Sequence, residues 1–198
     1  MIKFNELFTG YSASPGSEAR DLSASVSRGK FSNIPPGEGL FVTSLDSKMD
    51  YDSIFEVVKE SVKLVTGKVR SGIGLALSDL PPTLGAYWQV GGNYIVMNEN
   101  LVRAMLRLSS SEREFNSFVY MILAHEYIHS LGYIDEMEAR EMTARVARAA
   151  FGEKHHAARM SSGDIWNMYP QLKYAGNGNG NSLRIVSKFD SSATSYIA

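Results

Sequence analysis

The residues best suited to chemistry form the run His125-Glu126-Tyr127-Ile128-His129. Side chains four residues apart lie on one face of a helix, so the imidazoles of His125 and His129 can reach one metal ion. The Glu126 carboxylate lies beside them and can act as general base toward a metal-activated water. This spacing is typical of zinc hydrolases, and it predicts a zinc site with Glu126 as the catalytic residue. The competing interpretation is two ordinary histidines with a coincidental glutamate.

Composition narrows the kinds of site that the chain can build. The 198 residues include no cysteine, which excludes disulfides, thiolate metal ligands and a cysteine nucleophile. Any metal site must therefore use histidine, carboxylate or backbone oxygen. The formal net charge is -1, without the basic excess that is typical of nucleic-acid-binding proteins. We therefore expect no nucleic-acid partner.

Apolar periodicity and turn residues predict the elements that must position the motif. The patterns predict helices over 50–65, 98–108, 112–131 and 136–151, and strands over 71–80, 87–90, 94–97 and 183–186. Ser111 with Glu114 forms a capping box at the start of the motif helix, and Gly132 follows that helix as a left-handed cap. The fold expected is α+β, with a small mixed or antiparallel sheet, an active-site helix and a second helix packed just after it.

The two ends of the chain differ in composition from its middle. Ser, Gly and Pro are frequent up to about residue 40, and a Gly/Asn run follows residue 175. We predict an irregular N-terminal arm at 1–45, a catalytic domain at 46–175 and a C-terminal tail at 176–198. One hypothesis is that the arm or the tail covers the active-site cleft and keeps the enzyme inactive. The alternative is that both segments are plain linkers.

The longer pattern His125-Glu126-x-x-His129-x-x-Gly132-x-x-Asp135 resembles the metzincin branch of the zincin metallopeptidases. The likeness covers fewer than 50 residues well. It implies a zincin-like domain, in which His125, His129 and Asp135 bind zinc and Glu126 is the base. The helix predicted over 136–151 departs from that branch, where an extended loop often follows the third ligand. A helix packed there resembles the gluzincin branch, whose third ligand is a glutamate on the second helix, although in that branch the gap between the two helices is usually longer than in this sequence.

A second short match lies downstream of the motif. The run at 166–170, Trp-Asn-Met-Tyr-Pro, resembles the Met-turn of metzincins. The resemblance implies that Met168 forms an apolar floor under the zinc and that Tyr169 approaches the metal or the oxyanion. The alternative is an ordinary core methionine and turn tyrosine.

The third metal ligand stays open at this point. Asp135 ranks first by the resemblance, although a plain helix N-cap explains that residue equally simply. His155 or His156, which follow the second helix, could complete a three-histidine site. Glu136 or Glu138 at the start of that helix is the remaining option. Each choice gives three protein ligands and leaves the fourth position that a catalytic zinc needs.

Two other features have functional and structural interpretations. The strand at 94–98 can be the sheet edge that binds an extended peptide, as in zincins, or an ordinary hairpin strand. Arg140, Arg145 and Arg148 on the second helix can form a basic patch. However, Glu136 precedes Arg140 by four residues, the favourable order for an ion pair on a solvated face.

Together these patterns predict a zinc metallopeptidase that hydrolyses peptide bonds through a zinc-activated water. The cofactor expected is Zn²⁺, and the partner is a peptide or protein substrate, with a larger assembly as an open option. A start without an apolar segment suggests a cytoplasmic protein, or one released or packaged without a signal, and no membrane partner. The alternatives are a zinc-binding structural or interaction module and a zinc amidase that acts on a non-protein polymer.

Overall fold

A computed structural model describes residues 40–176, 178 and 180–191 of the chain. Within these ranges the fold is α+β, with six α-helices, one 3-10 helix and a small mixed sheet. The elements are α1 (Tyr51–Thr66), β1 (Gly74–Ser78), β2 (Ala86–Trp88), β3 (Tyr94–Asn98), α2 (Glu99–Leu108), α3 (Glu112–Ser130), α4 (Glu136–Phe151), α5 (His156–Ser162), α6 (Ile165–Met168), a 3-10 helix (Pro170–Tyr174) and β4 (Leu183–Ile185). The predicted arm lies outside these ranges as far as residue 39.

The long helices begin and end where the sequence predicts them. Asp50 and Ser111 cap α1 and α3 by accepting hydrogen bonds from backbone N–H groups in the first turn. Gly67 ends α1 in the left-handed conformation, with a φ of 69°. These local signals confirm the predicted helices, and the predicted strands are present as well. The short elements α5, α6 and the 3-10 helix were not predicted.

Helix α3 runs through the centre of the domain. Every one of its residues from Asn116 to Ser130 is buried, because α1, α4 and α5 pack around it and β2 and β3 lie against it. A helix that is buried on all sides needs small or apolar residues all round, which explains its weak amphipathic pattern. The candidate metal ligands on this helix are therefore held by the most enclosed element of the fold.

The sheet has the strand order β2-β3-β1-β4. Strand β3 pairs parallel with β1 and antiparallel with β2, so it lies inside the sheet. The interpretation of 94–98 as the edge strand is therefore wrong. Among the residues that the structure describes, β2 is the edge strand next to α3. The reason is the parallel pairing of β3 with β1, a long-range contact that a hairpin pattern does not reveal.

Side chains alternate between the two faces of the sheet. Leu75, Leu77, Ile95 and Met97 belong to the main core, which the helices complete. Ala76 and Val96 face the opposite side, where they pack with Leu80 and Leu84 in a smaller cluster. No helix in the described ranges is both long and apolar enough to cross a membrane.

Both ends of the described chain pack on this domain. Leu45 is fully buried, and the Phe41 N–H donates to the Ala150 carbonyl oxygen at 2.9 Å. At the other end, β4 pairs antiparallel with β1, and the buried Asp190 carboxylate accepts from Lys59 and from the backbone of Gly72. The described part of the predicted tail thus lies at the sheet edge opposite β2, rather than over the motif.

Candidate metal centre

The two motif histidines lie on one face of α3, one helical turn apart. Both are buried, and their Nε2 atoms are 3.0 Å from each other. The Nδ1 atom of His129 is 2.7 Å from the Tyr133 carbonyl oxygen. A carbonyl oxygen only accepts, so this contact places the proton of His129 on Nδ1 and leaves Nε2 with a lone pair for a metal.

The chain reverses direction directly after α3. Gly132 has a φ of 101°, which a residue with a side chain rarely adopts. The predicted glycine turn is therefore present. It brings the Tyr133 carbonyl back to His129, and four residues after Gly132 the helix α4 begins with Glu136.

Glu136 reaches back to the two histidines. Its Oε2 atom is 3.5 Å from Nε2 of His125 and 3.4 Å from Nε2 of His129. Its Oε1 atom accepts a hydrogen bond of 2.9 Å from Nε of Arg140. Burial by itself would raise the pKa of Glu136, but the two histidines and Arg140 outweigh burial and hold that pKa far below its usual range.

Asp135 occupies a different position. It is exposed, and its Oδ1 atom accepts a hydrogen bond of 2.9 Å from the N–H of Glu138, which makes it the N-cap of α4. Glu138, the other candidate on this helix, is also exposed. Of the carboxylates considered at the start of α4, the structure brings Glu136 to the histidines and turns Asp135 toward its own helix.

Three donor atoms therefore converge: Nε2 of His125, Nε2 of His129 and Oε2 of Glu136. Their separations are 3.0, 3.4 and 3.5 Å. Ligand atoms that lie about 2.1 Å from a tetrahedral ion are about 3.4 Å from one another. Oε2 is buried and has no hydrogen-bond partner in the described ranges, a state that a bound cation would resolve. Two imidazoles and one carboxylate thus fit a zinc ion.

Glu126 lies beside this group and is 1% exposed. The backbone of Trp88 on β2 lies near its carboxylate and favours the ionised form, while its Oε2 atom is buried and has no hydrogen-bond partner in the described ranges. Burial raises the pKa of Glu126 above its usual value, against the effect of the neighbouring histidines. The described residues therefore leave one acceptor atom of Glu126 unused beside the three donor atoms.

His155 and His156 lie apart from the three donor atoms. His155 is buried, its ring stacks on Phe151, and its Nδ1 atom accepts from the Ala157 N–H as the N-cap of α5. Burial lowers the pKa of His155 to about 4, with a further contribution from the Arg113 cation. His156 lines a separate surface pocket. The structure thus brings neither residue to the motif histidines.

The residues of the proposed Met-turn lie near the opposite end of α3. The Tyr169 hydroxyl donates to Oε1 of Glu114 at 2.5 Å. Glu114 precedes His125 by eleven residues on this helix, about 16 Å along its axis. Met168 is partly exposed and lines the pocket that contains Glu114. The expectation that Tyr169 approaches the metal or the oxyanion is therefore wrong, because its hydroxyl is held at the far end of the helix.

Two residues of the centre did not stand out in the sequence as functional. The sequence pairs Arg140 with Glu136 as an ordinary helix ion pair, and the four-residue spacing between them is the one feature that could have pointed to their contact. Nothing in the sequence distinguished Trp88, because its contact with Glu126 arises from the packing of β2 on α3.

Comparison of the chain with models of protein families, with curated proteins and with solved structures gives no match.

Proposed function

We propose that this chain is a zinc-dependent peptidase whose metal ligands are His125, His129 and Glu136. The observation that carries the proposal is the convergence of three donor atoms at 3.0–3.5 Å beside a buried carboxylate, Glu126. The resemblance to zincins supports the same assignment. With the third ligand on the second helix, the arrangement is closer to the gluzincin branch than to the metzincin branch.

The donor set fits a catalytic rather than a structural metal. Structural zinc sites are normally closed by four protein ligands, whereas catalytic sites use three and leave one position open. Two histidines with one carboxylate also suit iron(II), so the metal must be identified by measurement. A buried glutamate beside the ligands favours hydrolysis, because a structural site needs no base.

Each residue of the centre has a separate role in the proposed hydrolysis. A zinc ion at this site would polarise the scissile carbonyl and make water more acidic. Glu126 then accepts a proton from the attacking water through its free oxygen and delivers that proton to the leaving nitrogen. The nearby Trp88 backbone favours the ionised form of that carboxylate, which is the form that accepts the proton. The Tyr133 carbonyl oxygen holds the His129 ring in place through Nδ1.

A strand edge supports a peptide as the substrate. Among the described residues β2 pairs with β3 on one side, and its other side has no strand partner. An extended peptide can add to such an edge through backbone hydrogen bonds. Since β2 also contacts Glu126 through Trp88, a peptide on this edge would pass next to the base.

Zinc content and a conservative variant test this proposal. We expect elemental analysis to find about one zinc per wild-type chain, and Glu126→Gln to retain that zinc. Incubation with a mixture of peptides from digested proteins should yield new termini with wild type and none with Glu126→Gln. Zinc retention with equal cleavage by both proteins would contradict the role of Glu126, and folded wild type without zinc would contradict the site.

The same experiment separates the alternatives. A structural or interaction module would bind zinc and cleave nothing, and Glu126→Gln would match wild type in every assay. A zinc amidase would leave the peptides intact and release fragments from a non-protein polymer such as peptidoglycan, again only with Glu126 in place. Either outcome would replace the peptidase assignment while keeping the metal site.

A further inference from the structure

Arg140 stands one helical turn after Glu136, at the start of α4. Its Nε atom donates to Oε1 of Glu136 at 2.9 Å, and the side chains are 18% and 27% exposed. A fully exposed ion pair contributes little to stability, because water solvates both of its groups. This pair is largely removed from water, so the contact is stronger and better fixed in direction.

The Arg140 guanidinium has few polar neighbours. Within the described ranges its guanidinium has a single hydrogen-bond acceptor, Glu136, and its Nη2 atom is buried without one. Enclosing a cation is costly unless it is paired. The hydrogen bond to Glu136 therefore accounts for where the guanidinium of Arg140 lies.

The two oxygen atoms of the Glu136 carboxylate have different neighbours. Oε1 faces Arg140, while Oε2 faces the Nε2 atoms of His125 and His129. A hydrogen bond to one oxygen fixes the rotation of the carboxylate plane and so determines where the other oxygen lies. Without Arg140, a glutamate on the first turn of a helix could swing its carboxylate toward solvent.

We propose that Arg140 is a positioning residue of the metal centre, which holds Oε2 of Glu136 at the ligand position. This inference rests on the proposed function only in so far as the centre binds zinc. It requires no knowledge of the substrate. A residue with this role changes metal affinity through Glu136 and touches neither the metal nor the substrate.

Two effects of Arg140 on zinc affinity oppose each other. Its positive charge repels a divalent cation, so its removal would tighten binding. Its hydrogen bond pre-orients a ligand, and the loss of such outer contacts typically weakens metal affinity about 10- to 100-fold. If the hydrogen bond matters more than the charge, removal of Arg140 weakens zinc binding. The direction of the change in zinc affinity therefore shows which of the two effects is larger.

The test is the zinc affinity of the full chain, measured by competition with a chromophoric chelator. We expect Arg140→Ala and Arg140→Met to bind zinc about 10- to 100-fold more weakly than wild type. The methionine variant retains most of the apolar stem and so guards against a simple packing defect. Arg148→Ala is the matched control, because Arg148 lies on the same helix and bonds the exposed Ser162 instead. Its affinity should stay within about 2-fold of wild type, and circular dichroism should show all variants folded.

A double variant tests whether Arg140 acts through Glu136. In a Glu136→Ala background, adding Arg140→Ala should weaken zinc binding no further, because the carboxylate to be positioned is gone. The proposal is overturned if the single Arg140 variants bind zinc as tightly as wild type or more tightly. An equal loss in both backgrounds would also overturn it, by showing a general structural effect. Absence of zinc from wild type would instead refute the metal centre itself.

Discussion

The Oε2 atom of Glu136 lies 3.4 Å from the Nε2 atom of His129, although the two residues belong to successive helices. The turn after α3 is short, so α4 begins beside the motif rather than at a distance from it. The first residue of α4 points sideways toward the histidines, while the preceding Asp135 points along the helix axis to cap it. This difference between two neighbouring carboxylates makes Glu136, rather than Asp135, the candidate ligand.

Substitution of the two carboxylates should therefore have separate effects. Glu136→Ala removes a donor atom, and we expect it to weaken zinc binding by more than about 100-fold, beyond the loss typical of outer contacts. Asp135→Ala should retain zinc and lose about 1 kcal/mol of the free energy of unfolding, because it removes an N-cap. Elemental analysis and urea unfolding measure the two quantities. Zinc loss in Asp135→Ala with retention in Glu136→Ala would reverse the assignment.

The parts of this centre that follow from local chemistry could be predicted from the sequence. The helix spacing of His125 and His129, the cap at Ser111 and the turn at Gly132 each depend on residues close in the chain. The third candidate ligand could not be chosen in the same way. Asp135 and Glu136 are adjacent, and only the orientation of α4 against α3 selects between them.

Long-range packing explains the other differences between expectation and structure. Strand β3 resembles an edge strand in a hairpin pattern, but its parallel partner β1 comes from earlier in the chain. His155 follows the end of a predicted helix in the sequence, and its burial comes from Phe151, which stacks on its ring, and from α5, which begins at the next residue. Contacts between segments far apart in the chain leave no periodic pattern in the amino-acid sequence.

Removal of the Tyr169 hydroxyl separates the present site from a metzincin-like one. Its hydrogen bond to Glu114 is partly buried, and burial together with that bond raises the pKa of the phenol, so the group is a neutral donor at ordinary pH. Tyr169→Phe should cost about 1–2 kcal/mol of the free energy of unfolding. Zinc content and peptide cleavage should be unchanged. A large loss of kcat with normal stability would instead place Tyr169 in the reaction.

The C-terminal segment should stabilise the fold through one buried carboxylate. Asp190 is 4% exposed and pairs with Lys59, which also bonds Glu56. Asp190→Asn retains a residue suited to the local backbone, with its φ of 53°, but removes the charge that faces Lys59. We expect a loss of about 3 kcal/mol in urea unfolding, because a buried cation loses a partner.

A matched control for Asp190→Asn lies on α1. The Asp52 carboxylate also contacts the C-terminal segment, by accepting from the exposed Ser191 N–H at 3.1 Å. Asp52→Asn should cost less than about 1 kcal/mol, because exposed polar contacts contribute little. If both variants have equal stability, the segment is not held by the buried charge.

The buried His155 should make the fold sensitive to acid. Its pKa is about 4 in the folded chain, lowered first by burial and then by the Arg113 cation, against the opposing charge of Asp46. In the unfolded chain the pKa of a histidine is about 6.5. Between these values the unfolded state binds more protons than the folded state. The free energy of unfolding therefore falls as pH decreases from about 6.5 to about 4, by up to about 3 kcal/mol.

Replacement of His155 by asparagine isolates this contribution. Asparagine is a good N-cap and does not titrate, so the start of α5 is preserved. Urea unfolding of both proteins with a chelator present, at pH 7 and pH 4.5, gives two stability differences. Every other titrating group is common to the pair and cancels, so we expect wild type to lose more stability on acidification than His155→Asn by about 2 kcal/mol. Equal losses would mean that His155 takes up its proton as readily in the folded chain as in the unfolded one, which its burial and its accepting Nδ1 atom argue against.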